Sequence, residues 1–215
     1  MELAKWTTRR KVETGELSKN SFPVDVSLKG HCMSIFDPLF PHGKIPLPDT
    51  KGYSKGILSD TVQGVWEALA IVDGKIDSTC LHGIPKNRST PSCSWAFGGN
   101  PIGWADARQA IYIPTFAFVF EKRIPDEIKI ALYNIAKTDI VVYFYDDSEN
   151  PDPVALTNDF SHAFLVQWFM NRDFKKLQQS EMKVQGLMNL GSTMDFSDLP
   201  ESFNNEGGID WNKII

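Results

Sequence analysis

The chain has 215 residues, 42 % apolar and 23 % charged. These are ordinary values for one globular domain with or without an appendage, and they exclude a wholly disordered chain, a collagen and a coiled-coil rod. Twenty-two basic against 27 acidic residues leave a net charge of −5, which argues against coating a polyanion by bulk electrostatics. The longest nearly apolar run, Ala110 to Phe120, is eleven residues and is broken by Pro114; a bilayer-spanning helix needs ~20, so no membrane partner is expected. The opening residues MELAKWTTRRKVETGELSK lack the apolar stretch of a secretory signal. The three cysteines, Cys32, Cys80 and Cys93, are odd in number and show no CxxC spacing. Neither structural zinc nor a disulfide framework is expected, and a cytoplasmic location fits.

In chain order, residues 1–20 are polar and basic and read as an arm or a first edge strand. Residues 21–175 carry nearly all the apolar periodicity and form the domain. Residues 176–215 read as an acidic, polar C-terminal extension, mobile toward its end. Partial alternation of Phe22, Val24, Val26 and Leu28 predicts a strand. The Pro- and Gly-rich stretch from Phe36 to Gly56 predicts a long ordered loop. A helix capped at Ser59-Asp60 follows, with Val62, Val65, Trp66, Leu69 and Ala70 on its apolar stripe and Asp73-Gly74 stopping it. Residues 77–103 read as loops. A second helix spans Trp104 to Lys122, interrupted or restarted at Pro114, and a third begins at Pro125. Ile140 to Tyr145 reads as a buried strand ending in Asp146-Asp147, and Ser161 to Phe169 as the last core helix. The sum is a compact, mostly helical α+β domain with a few strands.

No Walker-type phosphate loop is present, and no GxGxxG follows a strand. His31, His42, His82 and His162 lie in separate segments without the pair spacing of a zinc site, so no metal and no cofactor is expected. Three segments stand out. FPHGKIPLP, residues 40–48, places His42 and Lys44 on a loop stiffened by proline. In TVQGVWEALA, Gln63 and Glu67 are four apart and share one helix face near Trp66, where they could stack on and hydrogen-bond a base or ribose or simply face solvent. YDDSENPD, residues 145–152, gathers Asp146, Asp147, Glu149 and Asp152 at a strand end, where acids could stabilise an oxocarbenium ion or activate water, or could form a plain Pro/Asp turn.

Taken in order, FDPLFPHGKI, TVQGVWEALAIV, ADARQAIYIPTFAFVFEKR and IVVYFYDDSENPD resemble the motifs of the NADAR superfamily, the NAD- and ADP-ribose-associated domains, over roughly residues 34–165. Those motifs are an SNFYP-like loop, an S-V-E-H-x-x-Q-A-x-K-F helix, an A/M-R-x-A helix, and a strand with an acidic segment. The family's helix Glu falls on Gln63, its Gln on Glu67 and its Lys on Ala70. Glu67 would then act from one turn further on, with Lys44 the nearest motif-borne lysine.

The resemblance implies N-glycosidic chemistry on ADP-ribose. The reaction would be removal of ADP-ribose from guanine of DNA, single-stranded or flipped, reversing a DarT-type toxin modification of the kind some phages counter. Glu67, Asp152 and Gln63 would be catalytic. Phe40, His42, Lys44, Trp66, Trp104, Arg108, Tyr112, Asp146 and Asn150 would bind substrate, with Arg108 pairing with the diphosphate. Phe40, His42, Gln63, Trp66, Glu67, Trp104 and Asp152 are accordingly expected in one cleft. The alternatives are a non-catalytic binder of ADP-ribose, NAD or a protein toxin, and an N-glycosidase acting on another ribosyl metabolite.

Overall fold

The computed structural model describes residues 3–28, 31–48, 56–152, 155–157 and 160–192; the tail expected to be mobile lies outside them. The chain divides into two units, Met1–Leu177 and Gln178–Ile215. The first unit is built on a short parallel sheet of three strands, β1 (Ala4–Thr8), β2 (Ser21–Asp25) and β8 (Val141–Asp146), with β8 in the middle. Val142 pairs with both Ala4 and Phe22, and Phe144 with both Trp6 and Val24. The N-terminal segment is therefore an edge strand of the domain. β8 buries one face only: Val142, Phe144 and Asp146 point inward while Val141, Tyr143 and Tyr145 are half-buried. All three strands run toward the same edge, which carries Thr8, Asp25 and Asp146 at their carboxyl ends.

After a short first helix, α1 (Arg9–Glu13), the helix expected after residue 59 is α2 (Val62–Leu69), capped by Thr61, whose side-chain oxygen accepts the Gly64 N–H. Ser59 is instead the end of a two-residue strand, β4 (Leu58–Ser59), paired with β3 (Ile45–Pro46). α2 stops at Leu69, before Asp73-Gly74, because Ala70 and Ile71 are drawn into β5 (Ala70–Ile71) against Trp95 and Ser94. Asp73 and Gly74, both at positive φ, turn that strand back on itself. The region expected as loops holds the rest of this sheet, a hairpin of β6 (Ser94–Phe97) and β7 (Asn100–Ile102) turned by Gly98 and Gly99 at positive φ. Glycine suits that turn because it has no Cβ to clash there.

The second expected helix is real but irregular. α3 (Trp104–Ala107) runs into a wide π turn over Arg108–Tyr112 before α4 (Ile113–Lys122) resumes. Pro114 supplies a cause: in regular α register its ring would meet the carbonyl of Ala110 and it has no N–H to donate. The Thr115 hydroxyl donates to the Ile111 carbonyl within this stretch. α5 (Asp126–Ala136) starts after Pro125, and α6 (His162–Ser192) begins at the expected place but runs on to Ser192. Phe36, Phe120, Phe144 and Phe169 fill the core between sheet and helices, with Phe120 stacked on both Phe36 and Phe169. The first unit is an α+β domain. No helix among the described residues is long and apolar enough to cross a membrane.

Candidate functional site

Seven of the eight residues of α2 are buried, the exception being Gln63. Apolar neighbours therefore surround a helix that also carries a charge. Glu67 is fully buried and its carboxylate is held on both oxygens. Gln63 Nε2 donates to Oε1 at 2.8 Å and Ser89 Oγ at 3.1 Å; the backbone N–H groups of Arg88 and Ser89 both donate to Oε2 at 2.9 Å. The shared face expected of Gln63 and Glu67 is thus a direct hydrogen bond. Trp66 Nε1 donates to Ser89 Oγ, and Arg88 Nη1 donates to the Glu67 carbonyl. A buried anion at this place is stable because every lone-pair direction meets a donor.

Arg108, at the start of the π turn, is buried as well, with 5 % of its surface exposed. Its guanidinium carbon lies 4.7 Å from the ring centre of Tyr112, 4.8 Å from Trp66 and Trp104, and 5.1 Å from Phe160. The indoles are themselves packed, Trp66 edge-on to Trp104 and leaning on Trp95. π faces attract the cation, but no described carboxylate reaches salt-bridge distance of it, and Arg108 Nε has no hydrogen-bond partner. Tyr112 Oη, equally buried, has no partner beyond the Arg108 side chain beside it. Burial pulls the Arg108 pKa down against the pull of the Tyr112 and Glu67 charges, and burial pushes Tyr112 up.

These groups line a cavity of about 90 Å³ together with Asn87 and His162. His162 is also a wall of a second cavity, about 300 Å³, lined by Ser27, Asp37, Asp146, Asp147, Ser148 and Phe160. The second lobe lies at the carboxyl edge of the parallel sheet, the place where open parallel sheets hold ligands. Small-molecule sites span ≈ 300–1,000 Å³; the first lobe falls below that range, the second stands at its lower end, and His162 lines both. Asp146 accepts from Ser161 Oγ and Ser148 N on one oxygen and from Ala163 N on the other. Asp37 accepts from the N–H groups of Leu39 and Leu28. Burial raises the pKa of both carboxyls. His162 is half-buried, with Nδ1 4.0 Å from Asp146 Oδ2; burial and then the Arg108 charge push its pKa down to about 3.

A groove of about 320 Å³ elsewhere is lined by Glu121, Asp126, Lys129 and Asp173 among others. Its lining lysine Lys129 is already paired with Asp126 and Asp173. No cluster of three His, Cys, Asp or Glu among the described residues is arranged to hold a metal ion.

Of the residues expected in one cleft, the first lobe brings together Gln63, Trp66, Glu67 and Trp104; of the other residues expected to bind substrate, it also holds Arg108 and Tyr112, and the second lobe holds Asp146. Phe40, His42, Lys44, Asn150 and Asp152 line neither lobe. Phe40 packs on His42, and His42 is turned into the protein, its pKa lowered to about 4 by burial and by Arg123. The Lys44 carbonyl accepts from Arg123 Nη2, which ties the loop to α4's end. Asn150 shapes the turn, its side-chain oxygen accepting the Asp152 N–H and its carbonyl the Ser161 N–H, and this leaves Asp152 exposed. The acidic turn thus positions Ser161 and α6, and Asp146 and Asp147 are its acids facing the cavity.

Asp37, Asn87, Ser89 and His162 escaped the sequence reading. Only His162 had been singled out at all, and no spacing rule connects it to Asp146 or Arg108.

No curated protein and no solved structure matches the chain. The model of a family of unknown function, DUF6939, matches residues 8–166, a stretch that contains every residue lining either lobe. That match spans well over half of the chain, which therefore belongs to the DUF6939 family.

Proposed function

We propose that this chain is an N-glycosidic hydrolase that removes ADP-ribose from nucleobases of DNA, guanine among them, and so reverses a DarT-type modification. The observation that carries this reading is the first lobe, where a carboxylate fixed by four donors and a caged, unpaired arginine line one cavity. Breaking the C1′–N bond develops positive charge on the ribose. A carboxylate already immobilised in a buried site stabilises that charge without reorganising at the moment of reaction. Trp66 and Trp104 wall the lobe, and Arg108 offers N–H groups to a phosphoryl oxygen. The water-positioning role expected of Asp152 passes to Asp146, which lines the second lobe next to His162. Water supplies the hydroxyl at C1′ and the proton returned to the base, so no cofactor is required. A base inside a duplex cannot reach such a cleft, and the substrate is single-stranded or flipped.

A non-catalytic ADP-ribose binder is the second reading, favoured by one feature: both oxygens of Glu67 are occupied, as in a carboxylate whose task is to staple residues 88 and 89. Incubation with ADP-ribosylated single-stranded DNA separates the two. Release of free ADP-ribose is the expected result. Retained ADP-ribose binding with no release would replace the hydrolase by the binder, and absence of both would end the ADP-ribose reading.

A further inference from the structure

Arg108 is a cation that folding buries and leaves without an anion. It is 5 % exposed, and Tyr112, at the other end of the same π turn, is 1 % exposed. Arg108 Nε has no hydrogen-bond partner, and Tyr112 Oη has none beyond the Arg108 side chain beside it, from which it can only accept, so its own O–H is unmet. The nearest candidate counter-ion, Glu67, has its oxygens occupied by Gln63, Arg88 and Ser89 and reaches Arg108 only through space. Ring faces offset part of the cost of burying the charge, but they accept nothing from the in-plane N–H groups. A buried charge in this state is a liability unless something pairs with it.

The unmet groups are donors, and the Asn87 side chain lies beside them in the same cavity. What satisfies a guanidinium and a phenol together is a negatively charged oxygen. A cavity of about 90 Å³ admits one such group, with room for little else. Beyond the shared wall at His162 the second lobe is lined by the carboxyls of Asp37, Asp146 and Asp147, so the cationic end of the cleft is the Arg108 cage. The cleft is therefore polar along its length.

We propose that the Arg108 cage is a subsite for a single oxyanion group, phosphoryl or carboxylate. Its oxygens take the N–H of Arg108 and the O–H of Tyr112, and the remainder of the ligand extends past His162 toward Asp37 and Asp146. This deepens the reading of the cleft given above without depending on bond cleavage: an oxyanion binds here whether or not a glycosidic bond is cut.

The test is calorimetric titration of the full chain with sodium phosphate, acetate and pyrophosphate at matched ionic strength, with thermal unfolding in parallel. Because phosphate raises Tm by general exclusion as well, the diagnostic is saturable heat that depends on Arg108. The wild type is expected to bind phosphate or acetate saturably, and the stronger of the two identifies the group. Arg108→Met is expected to lose that binding while its Tm without added anion is not lowered, since the charge has no partner in the empty protein. Tyr112→Phe, which removes one hydroxyl and keeps the ring, is expected to fold and bind several-fold more weakly. No saturable binding in the wild type, equal binding in Arg108→Met, or unchanged affinity in Tyr112→Phe would overturn the subsite. Pyrophosphate binding no tighter in the wild type than in Arg108→Met would likewise overturn it. A chain that binds phosphate but releases no ADP-ribose from modified DNA retires the hydrolase and leaves the subsite standing.

Discussion

Glu67 illustrates how much a single side chain can be asked to do. Its four hydrogen bonds tie α2 to residues 88 and 89, and its charge is the group proposed to face the ribosyl cation. Glu67→Gln separates these duties. An amide in place of one oxygen sets donor against donor, and leaving buried donors unmet costs about 1–3 kcal/mol; denaturant unfolding reads that loss. Under the hydrolase reading, turnover falls by about a hundredfold or more, while ADP-ribose affinity changes little, because the charge matters chiefly in the transition state. Full turnover in Glu67→Gln would remove it as the essential carboxylate and leave Asp37 and Asp146 as the candidates. That Gln63 and Glu67 share a face was legible from their spacing alone. That Glu67 is a buried anchor was not, because its other partners are more than twenty positions away on a stretch without periodicity.

At the scale of elements, α2 sits where it does because Gly64 lets it. A Cβ on Gly64 would lie 2.6 Å from Ser59 Oγ, 2.8 Å from the Cys80 carbonyl and 2.9 Å from Thr61 Oγ1. The Cys80 carbonyl belongs to a 3-10 turn, Ser78–Leu81, and cannot swing aside as a side chain could. Gly64→Ala is therefore expected to push α2 off that turn and destabilise the protein by about 1–3 kcal/mol, the usual cost of overpacking a filled core. A lower denaturant midpoint is the expected readout; an unchanged or higher midpoint would show that the two elements part easily. Apolar periodicity located α2, the 104–122 helix and β8 because each buries a regular stripe. It failed at residues 70–71, where β5 is made by pairing with β6 more than twenty positions away, and at 94–102, where the strands of the β6–β7 hairpin are too short to show an alternation. The π turn was legible only as an interruption, since Pro114 marks a disturbance without saying which carbonyls re-pair.

Across the whole molecule, buried titratable groups set how stability follows pH. His42 and His162 are held neutral, with pKa values pushed down to about 4 and about 3. Their unfolded pKa is ≈ 6.5, so from pH 6.5 downward the unfolded chain takes up protons that the folded one refuses, and stability falls. Asp37 and Asp146 work the other way. Their raised pKa values mean the folded state gains protons first, which returns some stability as pH falls toward the ordinary carboxylate range. The net expectation is a denaturant midpoint that drops between pH 6.5 and about 4, less steeply at the acid end, and a flatter profile in the double variant His42→Gln/His162→Gln. An identical profile in that variant would contradict the burial argument.

The central claim is that ADP-ribose occupies the cleft between the Arg108 cage and the carboxyl edge of the sheet. Its most direct test is a ¹H–¹⁵N spectrum of the indole N–H groups during titration with ADP-ribose. The Trp66 and Trp104 indoles face Arg108 and donate to Ser89 Oγ and the Ala155 carbonyl, whereas Trp168 is 54 % exposed and lines neither lobe. Saturable shifts at Trp66 and Trp104 with Trp168 unmoved are the expected result. No shift at Trp66 and Trp104, or a response confined to Trp168, would contradict it.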